Sequence, residues 1–200
     1  MVFIQKRIYV YINLMNLYQK KVLVAMPNMV DSFFSKSVVV ITKETSETVE
    51  GIILNKPVSQ VKLSSLSFEE NETAQQEKIL KKLISQSGRL FFGGPVDFST
   101  ASFLDVGSSK DRLSFDEIVI ARDFSFFQKV LFGENKNQRL YFGKSVWGRG
   151  QLFEEIASGD WLLKDFDPQI INMEAKIMWE FLISSLGLET YTFIGEGGRS

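Results

Sequence analysis

The side chains that most often do chemistry in proteins are missing from this sequence. Its 200 residues include no cysteine and no histidine. Disulfides, thiolate or imidazole zinc sites, haem held by either side chain and Ser–His or Cys–His nucleophile pairs are therefore excluded. Any chemistry has to use carboxylates, lysine, arginine, tyrosine, hydroxyl groups or the backbone.

Three short stretches match catalytic or metal-binding motifs only in part. Gly143–Ser145 resembles the end of a phosphate-binding loop, but Gln138 stands where that loop needs its first glycine. Ser59–Lys62 has the spacing Ser-x-x-Lys, without the partner motifs of penicillin-recognising enzymes. Asp165–Asp167 could hold Mg²⁺, but an aspartate directly before Pro168 is better explained as a helix cap. We therefore predict no catalytic residue, no metal and no cofactor.

Two glycine-containing loops offer the chemistry that remains. Gly93–Val96 and Trp147–Gln151 place flexible backbone beside a large aromatic ring and a cation. Glycine allows backbone N–H groups to approach a ligand or a neighbouring strand closely. The structural alternative is a pair of tight turns with Trp147 as a buried core residue, and glycine often serves turns alone.

A set of short strands has to position these loops. Apolar and β-branched runs bounded by turn residues predict the strands, and the second and third should form an antiparallel hairpin around a polar turn. Gly143–Gly150 is predicted to be a loop around Trp147. The predicted strands are Val22–Ala25, Val38–Thr42, Gly51–Leu54, Arg89–Phe92, Ser102–Val106, Ile118–Ala121, Arg139–Phe142 and Asp160–Leu163.

Helical spacing and capping residues predict four helices between these strands. The strands come in hairpin-like groups and do not alternate strictly with helices. We therefore predict an α+β fold, with a mainly antiparallel sheet and packed helices in a single domain. The predicted helices are Glu72–Ser85, one capped by Asp123, Gln151–Ala157 and a final one that starts at Asp167-Pro168 and ends near Gly187.

The two ends of the chain differ from its middle in composition. Residues 1–14 are apolar and β-branched, but Lys6 and Arg7 interrupt the apolar run, which is not the pattern of a signal peptide. We interpret them as a poorly ordered extension from an upstream start codon, with a short extra strand as the alternative. The domain is predicted to span 15–187, and 188–200 to form a tail.

Charge and hydropathy narrow the classes of partner. The chain has 23 basic and 24 acidic side chains, a net charge of −1, which gives general nucleic-acid binding little support. It has no apolar run of about 18 residues, so no membrane span is predicted. A small ligand or a protein partner is left open.

Five motifs in order resemble the AlgH/YqgE family of bacterial proteins, over about residues 15–187. This resemblance implies a compact α+β fold around a flattened, barrel-like sheet in a cytoplasmic protein, with Met15 as the natural start. The family carries a transcriptional-regulator label, although the sequence shows no helix-turn-helix. The motifs are Leu23–Pro27 with Met29 and Asp31, Phe34 with Ser37–Val39, Gly51–Pro57, Phe92–Val96, and Gly143–Leu152 followed by Glu154.

The chain also departs from the family pattern. Lys43-Glu44 stand where the family commonly has Glu-His, Asp105 replaces a second histidine, and Val146 replaces a glycine. Because the chain has no histidine, it cannot perform any family chemistry that depends on imidazole.

Three functions follow, in order of preference. The first is a non-enzymatic binding or regulatory protein, and the second is a transcription- or RNA-linked regulator. The third is an enzyme on a small anionic substrate, in which Arg149 and glycine N–H groups hold the charge. Its base would be Lys56, Asp97 or Glu154. For the first, we expect the ligand-binding residues to converge on one face of the sheet: Asn55, Lys56, Pro57, Gly93, Gly94, Trp147, Arg149 and Gln151.

Overall fold

The computed structural model describes residues 17–58, 90–105, 115–119 and 138–185. Within these residues eight strands belong to one sheet. They are β1 Lys21–Ala25, β2 Val38–Glu44, β3 Thr48–Ile53, β4 Leu90–Phe92, β5 Val96–Asp105, β6 Phe115–Val119, β7 Gln138–Gly148 and β8 Trp161–Asp165. Their order across the sheet is β6-β5-β7-β3-β2-β1-β8, and β4 pairs with β7 off this path.

Three helical segments accompany the strands in the described part of the chain. Helix α1 is Arg149–Ala157, a 3₁₀ helix is Pro168–Asn172, and helix α2 is Ala175–Ser184. Helix α1 follows β7 directly, so its first turn is fixed to the end of that strand. Helix α2 packs against β1.

The predicted hairpin of β2 and β3 is confirmed. The two strands pair antiparallel, with Val40 opposite Ile52. Its polar turn is closed by the Thr45 N–H, which donates to the Thr48 carbonyl at 2.9 Å, and by the Thr48 N–H, which donates to Thr45 Oγ1 at 2.9 Å. Threonine at both positions thus satisfies backbone groups that the strand ladder leaves unpaired.

Successive side chains of β1 enter two different cores. Val22 and Val24 join an apolar cluster with Met178 and Trp179 of α2, whereas Leu23 and Ala25 join a second cluster with Trp147 and Leu152. Because side chains alternate along a strand, these clusters lie on opposite faces of the sheet. We call them the α2 face and the α1 face.

The predicted loop Gly143–Gly150 is wrong. Strand β7 runs through to Gly148, and α1 begins at Arg149. Trp147 lies opposite Val49 in the ladder between β7 and β3. Pairing with a neighbouring strand and burial of the indole therefore override the local tendency of glycine to interrupt strands.

The start of the final helix is also wrong. Asp167 caps the 3₁₀ helix, where its Oδ1 accepts from the Gln169 N–H at 2.9 Å, and α2 begins separately at Ala175. The two segments still bury one continuous apolar surface, because Ile170 and Met178 belong to the same cluster. The sequence thus predicts the cap and the apolar spacing correctly, but it does not predict the break between the two helical segments.

The α+β fold class and the mainly antiparallel sheet are confirmed. Six of the strand pairs in the described residues are antiparallel, and only β4 with β7 is parallel. The strand order begins at β6 and ends at β8, so the sheet is not a closed barrel. The predictions for 1–14, Glu72–Ser85, the helix after Asp123 and 188–200 lie outside the described residues.

Candidate functional site

Trp147 is a buried member of an aromatic cluster held by one carboxylate. Its indole is 2% exposed, and its ring lies 5.9 Å from that of Trp161 and 5.5 Å from that of Phe34. Glu155 Oε2 accepts from both indoles, at 3.1 Å from Trp147 Nε1 and 2.8 Å from Trp161 Nε1. Gln151 Nε2 donates to the other carboxylate oxygen of Glu155 at 2.8 Å.

Trp147 is therefore a buried core residue, as the structural alternative in the sequence analysis predicts. Burying an indole N–H requires an acceptor, and one carboxylate here serves two indoles. Gln151 also closes the start of α1, because its Oε1 accepts from the Gly148 N–H at 3.3 Å. Both predicted site residues are thus engaged in holding α1 to the sheet.

Arg149 is engaged within the protein as well. Its Nη2 lies 3.0 Å from Oε1 of Glu44, whose side chain is fully buried, in an ion pair whose angles are not those of a hydrogen bond. Its Nη1 donates to the Thr45 carbonyl at 3.1 Å. Glu44 Oε2 accepts from the Tyr18 N–H at 2.9 Å. Arg149 therefore joins the start of α1 to the end of β2.

Gly93 and Gly94 are required by close backbone contacts. A Cβ on Gly93 would lie 2.3 Å from the Gly143 carbonyl oxygen, and one on Gly94 would lie 2.2 Å from the carbonyl carbon of Lys144. The Gly93 N–H donates to the Phe142 carbonyl at 2.6 Å, and its own carbonyl accepts from Ile53 N at 2.8 Å. These glycines let the chain cross tightly between β3 and β7.

The turn Asn55–Pro57 holds the loop between β1 and β2. Asn55 Oδ1 accepts from the Val38 N–H at 2.9 Å, and its Nδ2 donates to the Lys36 carbonyl at 2.8 Å. Lys56 Nζ lies 2.5 Å from the Phe33 carbonyl oxygen and 3.3 Å from that of Ser32.

The same turn is tied to β4. The Phe92 N–H donates to the Lys56 carbonyl at 2.7 Å, and Pro57 bridges to Phe91. Asn55, Lys56 and Pro57 are therefore brought together with Gly93, which follows β4 directly.

The eight predicted site residues thus form two groups. Asn55–Pro57 with Gly93-Gly94 make the first, and Trp147, Arg149 and Gln151 make the second. The β1–β2 loop touches both, since Lys56 donates to the Phe33 carbonyl while the Phe34 ring lies beside Trp147. That the groups form one binding site stays a prediction.

Four residues of this arrangement were not predicted: Phe34, Glu44, Glu155 and Trp161. Glu155 could have been found, because adjacent glutamates on a helix point about 100° apart and only one can face the sheet. Glu44 stands at the position of a family histidine. That departure from the family pattern did not indicate that Glu44 is a buried ion-pair partner. Nothing local to Trp161 indicates that it shares an acceptor with Trp147.

Two tyrosines near these groups have perturbed acidity. Burial raises the pKa of the Tyr141 hydroxyl to about 12, although the Arg139 guanidinium acts in the opposite direction. Burial also raises the pKa of Tyr18, with Arg149 lowering it and Glu44 raising it. Neither hydroxyl is therefore prepared to act as a base near neutral pH.

A row of charged side chains crosses the α2 face. Lys43 Nζ lies 3.5 Å from Glu50 Oε1, Lys144 Nζ lies 3.2 Å from Glu50 Oε2, and Lys144 Nζ lies 3.9 Å from Asp97 Oδ2. Asp97 has a positive φ of 59°. It follows Val96 where the register between β5 and β7 shifts.

The part of the chain that the structure describes has no group of three or more acidic side chains that could hold a metal ion. None of its helices has both the length and the apolar character needed to cross a membrane.

A family model described as AlgH-like matches residues 22–191, well over half of the chain. A UPF0301 protein of Jannaschia sp. is 28% identical over 189 residues, covering 90% of this chain and 94% of that protein. One of Burkholderia cenocepacia is 30% identical over 187 residues, covering 89% and 93%.

Two solved structures share the fold. The solution structure of AlgH from Pseudomonas aeruginosa has a TM-score of 0.55 at 19% identity, covering 90% of this chain and 95% of that one. A crystal structure of a Corynebacterium diphtheriae protein has a TM-score of 0.53 at 21% identity, covering 83% and 85%. At these identities the likeness concerns the fold alone.

Proposed function

We propose a function from one premise: the chain belongs to the AlgH-like family. Within that family we infer that it acts by binding, as a non-enzymatic regulatory protein of the cytoplasm. The observation that carries this inference is the engagement of Arg149, the group that would have to hold an anionic substrate. Its guanidinium forms an ion pair with Glu44 and donates a hydrogen bond to the Thr45 carbonyl.

Two of the three candidate general bases for an enzymatic mechanism also have contacts within the protein. A general base must be able to take a proton from substrate. The Lys56 ammonium donates to two carbonyls, and Asp97 lies beside Lys144. Glu154 is exposed on α1, so it is the one residue of the three with which catalysis has to be tested.

For recognition we propose what we call the loop surface: Val30, Phe33, Lys56 and Pro57. Val30 is 96% exposed, and Phe33 is 40% exposed while its ring stacks on Phe92 at 5.6 Å between centroids. Exposed apolar side chains on a loop that is anchored to a rigid sheet favour a binding role. We expect a small ligand or a protein partner with an apolar group, seated against Phe33.

The test is titration of the ¹⁵N-labelled chain with a metabolite library, followed by backbone amide shifts and by the substrate signals. We expect shifts to concentrate in residues 30–36, 55–57 and 93–94, with no product formed. Phe33→Ala should remove binding. Phe181→Ala is the matched control, because Phe181 is another half-exposed phenylalanine, on α2.

Three results would overturn the proposal. Turnover that is lost in Glu154→Gln would establish an enzyme. Equal loss of binding in the Phe181→Ala control would show that the loop surface is not the binding site. Titration with duplex DNA and with RNA forms a third arm, in which affinity that falls steeply with salt would establish a nucleic-acid regulator.

A further inference from the structure

The charged row on the α2 face has a regular order across four neighbouring strands. From β2 to β5 the charges are Lys43, Glu50, Lys144 and Asp97, so the signs alternate from plus to minus twice. Each neighbouring pair of charged atoms lies within 3.9 Å. The row is independent of the loop surface proposed for ligand recognition.

Strand pairing puts three of these side chains on one face, and the ion pair with Lys144 brings Asp97 beside them. Lys43 is directly opposite Glu50, and Glu50 is directly opposite Val146. Lys144 is two residues from Val146 and directly opposite Val96. Since residues two apart on a strand share a face, Lys43, Glu50, Val146, Lys144 and Val96 all project the same way.

This patch lies beyond the apolar cluster that α2 covers. Ile52 belongs to that cluster, while Glu50, two residues earlier on the same face of β3, does not. Two apolar side chains in the patch are exposed: Val96 is 44% exposed and Val146 is 37% exposed. The patch therefore combines an apolar centre with an ordered row of charges.

When the row is reversed, every charge has the opposite sign from the charge at the same place in the original row. The row is therefore complementary to a reversed copy of itself. A two-fold axis that lies in the interface and runs perpendicular to the row, through the midpoint between Glu50 and Lys144, turns the row end over end. Lys43 of one copy then faces Asp97 of the other, and Glu50 faces Lys144, with each contact repeated by symmetry. A shift by one strand would instead place like charges together, so the order also fixes the register.

We propose that two copies of this chain associate through this patch, face to face about that two-fold axis. The occupant is a second copy because the row complements itself as it stands. Six residues a side are fewer than the 20–30 of a standard interface, so the dimer is weak and forms at high concentration. Because the charged groups are partly solvated, association weakens as salt rises.

A charge-exchange experiment tests the proposal. Lys43→Glu places two acids opposite each other in its own dimer, and Asp97→Lys places two lysines opposite each other. We expect each variant alone to self-associate at least about tenfold more weakly than the parent chain in sedimentation equilibrium at low salt. In an equimolar mixture both contacts become attractive, so dimers should return with one copy of each variant.

The matched control is Lys164→Glu, which makes the same change in net charge as Lys43→Glu. Lys164 is on β8, the edge strand farthest from β5 and β6. This variant should self-associate like the parent chain. Asp97 occupies left-handed backbone, where lysine is less easily accommodated. If Asp97→Lys fails to fold by circular dichroism, Glu50→Lys and Lys144→Glu form a second exchange pair with the same logic.

Three outcomes would overturn the proposal. The parent chain could remain monomeric at millimolar concentration and low salt. Lys43→Glu could self-associate as strongly as the parent chain. The mixture of two folded variants could stay monomeric, which would show that these residues do not face each other across the two-fold axis.

Discussion

Two pairs of glycines lie in the motifs that pointed to a site, and they differ in their surroundings. A side chain on Gly93 or Gly94 would meet backbone atoms at 2.2–2.4 Å. A Cβ on Gly148 would first meet Gln151 at 3.8 Å, and one on Gly150 would meet nothing within 4 Å. The first pair is explained by packing against β7.

The second pair is not explained by packing. Gly150 lies within α1, where glycine costs about 1 kcal/mol relative to alanine. Glycine in a sequence motif therefore indicates two different things in this molecule. At residues 93–94 it permits two strands to approach, whereas Gly150 leaves exposed backbone in the first turn of a helix.

Gly94→Ala should have the largest effect and tests the packed pair. The new methyl group would overlap the backbone of Lys144, which cannot move without disturbing β7 and its partner strands. We expect a loss of roughly 3 kcal/mol or more in the free energy of unfolding, measured by urea denaturation. A loss below about 1 kcal/mol would show that the crossing between β3 and β7 is looser than described.

Alkaline pH tests the same region through Tyr141, whose Cβ lies beside Gly93. Its folded pKa of about 12 exceeds the ordinary value of 10.0, so the folded state disfavours the phenolate. The associated stability is complete below pH 10 and is lost as pH rises towards 12, by about 3 kcal/mol. Urea midpoints across this range should fall in the parent chain and fall much less in Tyr141→Phe.

Arg149→Met tests what holds residues 148–150 in place. The substitution keeps a long apolar stem but leaves the buried Glu44 carboxylate without its cation. We expect a loss of about 2 kcal/mol, below the range for fully buried pairs because the arginine is 21% exposed. The double variant Arg149→Met with Glu44→Gln should recover part of that loss. An additive double variant would contradict the pairing.

Gly150→Ala should have the smallest effect, and the opposite sign. Because the site is open and helical, alanine should raise the free energy of unfolding by up to about 1 kcal/mol. Thermal denaturation measures this, with Gly94→Ala as the opposing control. If ligand binding weakens while stability rises, accessible backbone at the start of α1 is used for recognition. A destabilised variant would place Gly150 with the packed pair.

Sequence patterns predicted the strands well where burial follows local composition. Val22–Ala25 and the hairpin of β2 and β3 are apolar runs bounded by polar turns, and the structure confirms them. The extension of β7 through Trp147 to Gly148 could not be read locally. It depends on pairing with β3, about 100 residues earlier in the chain, which overrides the glycines in the segment.

The sequence motifs predicted which of these residues lie close together better than they predicted what each residue contacts. Motif residues such as Asn55 and Lys56 do lie next to Gly93, but what each contacts depends on the β1–β2 loop. The sharing of Glu155 by Trp147 and Trp161 depends on three elements meeting in space. The spacing of residues along the chain does not indicate which distant elements come into contact.

Strand β7 also sets when the two parts of the sheet can join during synthesis of the chain. It pairs with β3, β4 and β5, so it connects strands from both halves of the sheet. The hairpin of β2 and β3 can form early, but its neighbour β7 is completed only when residue 148 has left the ribosome. A nascent chain shorter than this exposes the unpaired edge of β3, which is open to wrong strand pairing and to chaperone binding.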